Sequence, residues 1–447
     1  MIKTIFALAS APGRAGVAVY RISGPRAAQT FEILTHTAVP KPRQAVRVTL
    51  YDPKGGEKID DGIAIWFPAP KSFTGEDVVE FQLHGGSAIR KRILKVISSQ
   101  PLLRLSEPGE FTRRAVLAGK IDLTAAEGLI DLINAETEAQ RRQALRQSEG
   151  ALGQIYDGWR EVLLSSLAHA EAFIDFPDED LSADEEKAIW SPVRKVINEI
   201  SEHLDDDGRG ELLREGLLIS ILGPPNAGKS SLLNWLVGRD AAIVSERAGT
   251  TRDIIEVNYD LDGNPVVFSD TAGIRRALSE VESAGIVKAF DRARVSDLKI
   301  IIVAADEASK FSVVKHLVDD DTIVVLNKTD LCKKNISDIK DKFVKTVKPI
   351  LEISVTKNQG LERFLDSISS AVEKKINVGN SPAISRARHR DALEECITAL
   401  KRSENDMSLE LRAEDLRVAM RSLGKITGTV DVEEILDLVF QEFCIGK

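Results

Sequence analysis

A glycine-rich segment between an apolar run and a helical pattern constrains the fold more than any other feature. Leu217–Leu222 is apolar apart from Ser220, and Gly223-Pro-Pro-Asn-Ala-Gly-Lys-Ser230 follows it directly. This is the G-x-x-x-x-G-K-S pattern, whose glycines let backbone N–H groups curl round a phosphate. It predicts a strand, a phosphate-binding loop and a helix over Ser231–Val237, and therefore a parallel α/β sheet.

Two residues of the loop and two further segments predict what the loop binds. Lys229 is expected to reach the β- and γ-phosphate oxygens, and Ser230 to ligate Mg²⁺. Asp270-Thr-Ala-Gly273 ends the next predicted strand, where a carboxylate can hold Mg²⁺ through water and a glycine N–H can meet the γ-phosphate. Between them, Gly249-Thr-Thr-Arg-Asp253 offers the hydroxyl of Thr251 to the metal.

The remaining segments predict that the base is guanine. Asn327-Lys-Thr-Asp330 follows the apolar run Thr322–Leu326. The carboxylate of Asp330 can accept hydrogen bonds from guanine N1–H and the 2-amino group, which adenine lacks, and this discriminates by about 10⁴. Ser354-Val-Thr356 follows Ile350–Ile353 and suits a backbone contact to guanine O6. Four elements in this order predict a GTPase that uses GTP and Mg²⁺.

The motifs identify the binding groups more clearly than the catalytic groups. Ras-type enzymes orient the attacking water with a glutamine after the Asp-x-x-Gly glycine, but this chain has Ile274, which cannot do so. No arginine can be singled out as an arginine finger within the chain. The sequence therefore needs another positive charge and another water-orienting group. Glu282 is a candidate acid–base partner, or else an exposed helix glutamate.

Composition narrows the function classes. The chain of 447 residues has 60 basic and 69 acidic side chains and a net charge of −9, so an RNA contact must be a local patch or be shared with a partner. No apolar stretch approaches the roughly 18 residues that span a bilayer. Three cysteines without paired spacing predict no disulfide framework and a cytoplasmic location. Met1–Ala11 is interpreted as a first strand, with a weak signal peptide as the alternative.

Periodicity divides the chain into four segments and predicts an α/β plus all-α fold. Residues 1–117 mix strands and helices, 118–212 and 374–447 are mainly helical, and 213–373 alternate strands with helices. The simplest architecture inserts the second α/β segment into one helical domain, and three consecutive independent domains are the alternative. In residues 1–117 the predicted strands are Val17–Ile22, Val46–Tyr51, Ile63–Phe67 and Val78–Leu83, and the predicted helices are Pro25–Leu34 and Ala88–Ser98.

These motifs together resemble those of the MnmE (TrmE) tRNA modification GTPases. The resemblance rests on the loop with Asn226, on Gly249–Asp253, on Asp270–Gly273 with Ile274, and above all on the ending Phe443-Cys-Ile-Gly-Lys447. It covers the whole chain. The other matching segments are Pro12–Gly16, Arg21–Gly24, Ser72–Asp77, His84–Gly86, Pro108–Phe111 and Phe173–Asp178.

The resemblance implies a specific architecture and activity. The fold would be an N-terminal folate-binding and dimerising domain, a split helical domain and an inserted Ras-like GTPase domain. A homodimer would work with the flavoprotein MnmG, in a heterotetramer or larger complex, on certain tRNAs. Together they would add a carboxymethylaminomethyl or aminomethyl group to C5 of the wobble uridine. The one-carbon unit would come from 5-formyl- or 5,10-methylene-tetrahydrofolate, and GTP hydrolysis would depend on K⁺.

The resemblance also assigns candidate site residues. K⁺ would be held by Asn226, Ser245, Arg247 and Thr250, although Ser245–Arg247 departs from the family's usual segment, and Mg²⁺ by Ser230 and Thr251. The catalytic glutamate falls on Glu282. Motifs and resemblance together give these candidate nucleotide-binding residues: Asn226, Ala227, Gly228, Lys229, Ser230, Ser231, Ser245, Glu246, Arg247, Ala248, Gly249, Thr250, Thr251, Asp270, Thr271, Ala272, Gly273, Asn327, Lys328, Thr329, Asp330, Ser354, Val355 and Thr356.

For folate, the family's ligands carry over to Arg21, Glu80, Lys120 and Lys447. Cys444 is interpreted as a catalytic thiol near the folate, or else as a tail cysteine without a role. The cluster Arg386–Arg390 is a tRNA or partner contact, or a solvated face. A competing hypothesis is a GTP-dependent switch or assembly factor, such as a ribosome-maturation GTPase, whose flanking domains only bind RNA.

Overall fold

A computed structural model of the chain forms two compact units. It describes residues 3–175, 182–239, 241–243, 255–270, 294–332, 350–376, 379, 382–405, 408–430, 433–441, 443 and 445–446. The first unit comprises Met1–Ile130, Arg146–Ile200 and Asp391–Lys447, and the second comprises Asp131–Leu145 and Ser201–Arg390. Among the helices described, none combines the length and the apolar character needed to cross a membrane.

The first unit contains a six-stranded sheet in the order β3-β4-β5-β2-β1-β6. Neighbouring strands are antiparallel except for β1 and β6, which are parallel. The strands are β1 (Thr4–Leu8), β2 (Ala18–Ser23), β3 (Val46–Tyr51), β4 (Lys58–Phe67), β5 (Val78–Leu83) and β6 (Leu103–Leu105). Alternate residues such as Tyr20 and Phe81 are buried on one face, as the two-residue period of a strand requires.

Two helices cover that face, and further helices follow along the chain. Phe31 of the first helix stacks on Phe81 with ring centroids 5.7 Å apart. Up to the phosphate loop the helices are α1 (Ala27–Thr35), α2 (Ser87–Ser98), α3 (Glu110–Leu117), α4 (Leu123–Asn134), α5 (Glu138–Ser148), α6 (Ala151–Asp175), α7 (Ala183–Leu204) and α8 (Arg209–Glu215). After the loop they are α9 (Lys229–Val237), α10 (Leu361–Ile376), α11 (Ala387–Ser403), α12 (Leu409–Thr427) and α13 (Glu433–Gln441).

The second unit contains a seven-stranded sheet in the order β13-β12-β11-β7-β10-β9-β8. Strands β7, β10, β11, β12 and β13 run parallel, whereas β9 is antiparallel to both β10 and β8. The strands are β7 (Leu217–Leu222), β8 (Ala242–Ile243), β9 (Ile255–Leu261), β10 (Asn264–Asp270), β11 (Leu298–Ala304), β12 (Thr322–Asn327) and β13 (Ile350–Glu352). The parallel strands therefore end at one edge, where ligands bind in such sheets. Short 3₁₀ turns cover Ala305–Val313, Lys315–Leu317 and Thr329–Leu331.

In the first unit the two ends of the chain meet. Pro108 forms a bridge with Ile445, and Gly446 lies against the end of β1 with φ +105°. A Cβ on Gly446 would lie 2.2 Å from the carbonyl oxygen of Leu8, so only glycine fits this approach. Ile445 and Gly446 of the C-terminal motif are thereby placed beside the N-terminal sheet.

The predicted fold class is confirmed, with specific differences. Strands β3, β5 and β7 have the predicted bounds, whereas β6 and α3 were not predicted. Cys332 and Cys396 are free thiols, as expected, and burial raises the pKa of Cys396 to about 12. The boundaries at 117/118, 212/213 and 373/374 remain predictions.

Candidate functional site

The phosphate loop joins β7 to α9 and requires glycine at two positions. Gly223 has φ +151°, and an added Cβ would lie 2.1 Å from the carbonyl oxygen of Ile302. Gly228 has φ +104°, and an added Cβ would lie 2.1 Å from Nδ2 of Asn327. Backbone freedom and close approach therefore explain both glycines of the motif.

Lys229 starts α9 and lies within the curl of the loop. Its Nζ donates to the carbonyl oxygens of Gly223 and Pro224 at 2.8 and 3.0 Å. Ser230 follows in the first turn, where N–H groups and the helix dipole favour an anion. Asn226 is exposed at the tip of the loop with φ +63°. The arrangement suits a phosphate chain.

The side chain of Asn327 connects the phosphate loop to the segments predicted to bind the base. It is 2% exposed. Its Nδ2 donates to the carbonyl oxygen of Ala227 at 2.9 Å, and its Oδ1 accepts the N–H of Val355 at 3.3 Å. One buried amide thus holds together three loops that are far apart in sequence.

Asp330 is exposed but oriented. The hydroxyl of Ser354, which is fully buried, donates to Oδ1 of Asp330 at 2.6 Å. Lys328 adopts φ +60°, and both the N–H and the hydroxyl of Thr329 donate to the carbonyl oxygen of Ile353, at 3.3 and 3.0 Å. The turn therefore fixes the carboxylate while leaving it open to solvent, as recognition of a base edge requires.

Asp270 ends β10 beside the start of the phosphate loop, because it is in register with Ile221 of β7. The structure thus brings together the phosphate loop, Asp270, residues 327–330 and residues 354–356. Other sequence-predicted residues lie outside the described part of the chain. These are Ser245, Glu246, Arg247, Ala248, Gly249, Thr250, Thr251, Thr271, Ala272, Gly273, Glu282, Cys444 and Lys447.

Two of the candidate folate residues are cross-strand neighbours. Arg21 on β2 faces Glu80 on β5, and its Nε and Nη2 both lie 2.8 Å from Glu80 Oε1. The guanidinium carbon lies 5.7 Å from the ring centroid of Phe73 and 5.6 Å from that of Phe111. Positive charge over an aromatic face is favourable, so this packing holds Arg21 in place.

Lys120 lies against the connection between β4 and β5. A Cβ on Gly75, which has φ +77°, would lie 3.3 Å from Cε of Lys120. Arg21, Glu80 and Lys120 are all in the first unit. Phe73 and Gly75 belong to a single loop, which contacts Arg21 through Phe73 and lies close to Lys120 at Gly75.

Sequence reasoning missed the network behind this loop. Arg114 donates to Glu76 at 2.8 Å and to Glu110 at 2.8 Å, and Ser23 donates to Glu76 at 2.8 Å. The pKa of Glu110 lies below its ordinary value. Burial alone would raise this pKa, but hydrogen bonds from Arg104, Arg114 and a backbone N–H stabilise the carboxylate more strongly. The sequence signal for this network is the segment Ser72–Asp77, which matches the family and contains Glu76.

The cluster Arg386–Arg390 forms internal ion pairs in the second unit. Arg386, 8% exposed, contacts Asp131 at 2.9 Å, and Arg390 contacts Asp206 and Glu211 at 2.6 and 3.0 Å. The solvated-face hypothesis is therefore wrong for Arg386. The pairs form between segments more than 170 residues apart, which local sequence patterns do not reveal.

We expect Asn327→Ala to loosen the phosphate loop and the base-binding segments together. Removing a buried amide leaves a carbonyl and an N–H unpaired, which costs about 1–3 kcal/mol of unfolding free energy. GDP affinity should fall about tenfold or more. Asn258→Ala is the matched control, because it removes the same side chain from the same unit. The amide of Asn258 forms only a solvent-exposed hydrogen bond, to Glu136. Urea unfolding and GDP titration of both variants measure the effect; equal GDP affinity in the two would contradict it.

Comparison with known proteins agrees with this geometry. Residues 4–120 match the family described as GTP-binding protein TrmE N-terminus, and residues 123–444 match the MnmE helical domain. A tRNA modification GTPase MnmE from Paramagnetospirillum magneticum is 48% identical over 449 residues, and one from Parvibaculum lavamentivorans is 48% identical over 450 residues. Both alignments cover 100% of each chain.

Among solved structures, an Era protein from Aquifex aeolicus bound to GDP and aluminium fluoride aligns with 42% of this chain and 68% of its own. The identity is 24% and the TM-score 0.29, so the family assignment does not depend on it. The two family matches and the full-length relatives are sufficient. The chain belongs to the MnmE (TrmE) family of tRNA modification GTPases.

Proposed function

We propose that the chain is a K⁺-activated GTPase that acts with the flavoprotein MnmG to modify C5 of the wobble uridine in certain tRNAs. The observation that carries the GTPase part is the buried amide of Asn327, which joins a phosphate loop to an oriented carboxylate at Asp330. Family membership supports the tRNA part. The homodimer, the complex with MnmG and the cytoplasmic location belong to the same proposal.

GTP binding follows from the described side chains. Asp330 accepts two hydrogen bonds from guanine, and Ser354 keeps its carboxylate in position. Lys229 exchanges its two loop carbonyls for phosphate oxygens, which are stronger acceptors because they are charged. The N-terminal N–H groups of α9 contribute further donors. The binding free energy is thus divided between the two ends of the nucleotide.

Of the residues proposed to hold Mg²⁺ and K⁺, Ser230 and Asn226 lie in the described part of the chain, and their oxygen atoms suit these ions. Ser230 is exposed in the first turn of α9, where a hydroxyl can ligate Mg²⁺ together with Thr251. Asn226 is exposed at the tip of the loop, and its amide oxygen is a ligand type that alkali ions accept. Ser245, Arg247 and Thr250 complete the proposed K⁺ set. When bound, K⁺ supplies the positive charge that an arginine finger supplies elsewhere, worth about 10³ or more in rate.

The folate site is proposed around Glu80. Both contacts of Arg21 are made to Oε1 of Glu80. Within the described residues Oε2 accepts no hydrogen bond, and we propose that it accepts hydrogen bonds from the donor edge of a pterin. The side chains of Arg21 and Glu80 are 21% and 18% exposed, which limits competition from water. Lys120 and Lys447 offer cations to the glutamyl tail. Cys444 adds a thiol near this site in the proposal.

We expect the rate of GTP hydrolysis to fall tenfold or more when Na⁺ replaces K⁺, because the smaller ion fits a K⁺ ligand set poorly. GTP affinity, measured in parallel, should change little.

Glu282→Ala should abolish hydrolysis in K⁺ while leaving GTP binding intact. An unchanged rate in Na⁺ would contradict the role of the cation, and lost GTP binding in Glu282→Ala would mean that this residue is structural.

We expect the intact chain to bind 5-formyltetrahydrofolate, and Glu80→Gln to weaken that binding about tenfold or more, since a charged acceptor is lost. Glu32→Gln, on the exposed side of α1, is the control and should bind like the parent chain. Calorimetric titration measures both variants. If the parent chain binds no folate, a GTP-dependent switch or assembly factor becomes the better hypothesis.

A further inference from the structure

Charge is divided unevenly along this acidic chain. Residues 1–117 carry seven lysines and ten arginines against four aspartates and six glutamates, a net charge of +7. Residues 118–447 carry the other 43 basic and 59 acidic side chains, a net charge of −16. Exposed charges act over a Debye length of about 8 Å at physiological salt. The acidic segments 118–130, 146–200 and 391–447 belong to the same compact unit and bring its net charge to −7, so an attraction for RNA phosphates must come from a local patch within residues 1–117.

Five of the ten arginines of this segment already form ion pairs. Ion pairs join Arg21 to Glu80, Arg92 to Asp52 and Glu57, Arg104 to Glu110, Arg113 to Asp437, and Arg114 to Glu76 and Glu110. Such paired side chains add little net attraction for a polyanion. The surplus must lie on cations without a carboxylate partner.

Four such cations lie along the edge strand β3 and the loops beside it. We name Lys41, Arg43, Arg47 and Lys71 the basic edge. All four are exposed, and none of them forms an ion pair with another described residue. Arg43 connects two of the loops, because its Nη2 donates to the carbonyl oxygen of Lys71 at 2.5 Å.

The backbone and an aromatic ring hold Arg43 in place, and the strand sets the face on which Arg47 lies. The N–H of Arg43 donates to the carbonyl oxygen of Trp66 at 2.8 Å, and its guanidinium carbon lies 5.9 Å from the ring centroid of Phe67. Val48 is buried under the helices, so the alternation of β3 turns Arg47 to the opposite face. The basic edge is therefore partly preorganised.

Two carboxylates lie close to the basic edge, and both are already engaged. Asp61 forms an ion pair with Lys58, and its pKa is lowered by hydrogen bonds from Lys58 and Thr49 and by the charge of Arg47. Asp77 accepts the N–H of Ala69 at 2.9 Å. Neither carboxylate forms a recorded ion pair with the basic edge.

Cations on an edge strand also prevent strands of different molecules from pairing. That role accounts for Arg47, which lies on the strand itself. It does not account for Lys41, Arg43 or Lys71, which lie in loops outside the strand. A ligand with spaced negative charges accounts for all four.

We propose that the basic edge binds the sugar–phosphate backbone of the tRNA substrate. This proposal rests on the proposed tRNA-modifying function and assigns one surface of the chain to it. Lys71 lies two residues before Phe73, which packs on Arg21. One loop thus carries both an RNA contact and a wall of the proposed folate site.

The test compares two triple variants of the intact chain in fluorescence-anisotropy titrations of tRNA at several salt concentrations. Lys41→Gln/Arg47→Gln/Lys71→Gln removes three charges from the basic edge and leaves Arg43 in place. Its tRNA affinity should fall tenfold or more. The negative slope of log K against log salt concentration should become shallower by about two to three, because three phosphate contacts are lost. Lys315→Gln/Lys374→Gln/Lys401→Gln removes three exposed cations elsewhere and should change affinity less than threefold.

Folding and the proposed function are checked separately. Both triple variants should hydrolyse GTP and bind 5-formyltetrahydrofolate like the parent chain, because none of the six residues touches either candidate site. Unchanged affinity and salt slope in the first variant, equal losses in both variants, or no tRNA binding by the intact chain at low salt would overturn the proposal. Loss of self-association without a change in tRNA affinity would overturn it in favour of a second copy of this chain. Failure of folate binding alone would count against the proposed function only.

Discussion

The nucleotide site depends on one buried side chain. Asn327 fills both of its hydrogen-bonding functions with backbone groups, the carbonyl of Ala227 on one side and the N–H of Val355 on the other. A carboxylate here would leave the carbonyl of Ala227 unpaired, and an apolar side chain would leave both buried groups unpaired. The same close approach forces glycine at position 228. A residue counted with the base-recognition motif therefore also sets the shape of the phosphate loop.

The chemistry is distributed between two compact units with different sheets. The sheet of the second unit presents the nucleotide residues at the carboxyl ends of its parallel strands, as doubly wound sheets do. The sheet of the first unit holds Arg21 and Glu80 side by side, and its edge strand β3 carries Arg47 of the basic edge. Residues 1–117 differ from the remainder of this acidic chain because they contain few carboxylates, with 10 acidic against 17 basic side chains.

Sequence reasoning succeeded where a signal was local. Apolar runs with breakers at both ends predicted β7 and nearly all of β12, and the motifs predicted which loops would meet. It failed where the signal was in tertiary contacts. The ion pair of Arg386 with Asp131, the packing of Phe73 on Arg21 and the bridge made by Asn327 each join distant segments. Strand β6 has only three residues, which is too short for a period to be recognised.

The most direct test of the account is the base preference of Asp330→Asn. An amide can donate where the carboxylate could only accept, so the variant should bind xanthosine triphosphate at least tenfold more tightly than GTP, reversing the preference of the parent chain. Competition of both nucleotides against a fluorescent GDP analogue measures this reversal. A variant that keeps the parent preference for GTP would show that Asp330 does not recognise the base and that the site is not assembled as described.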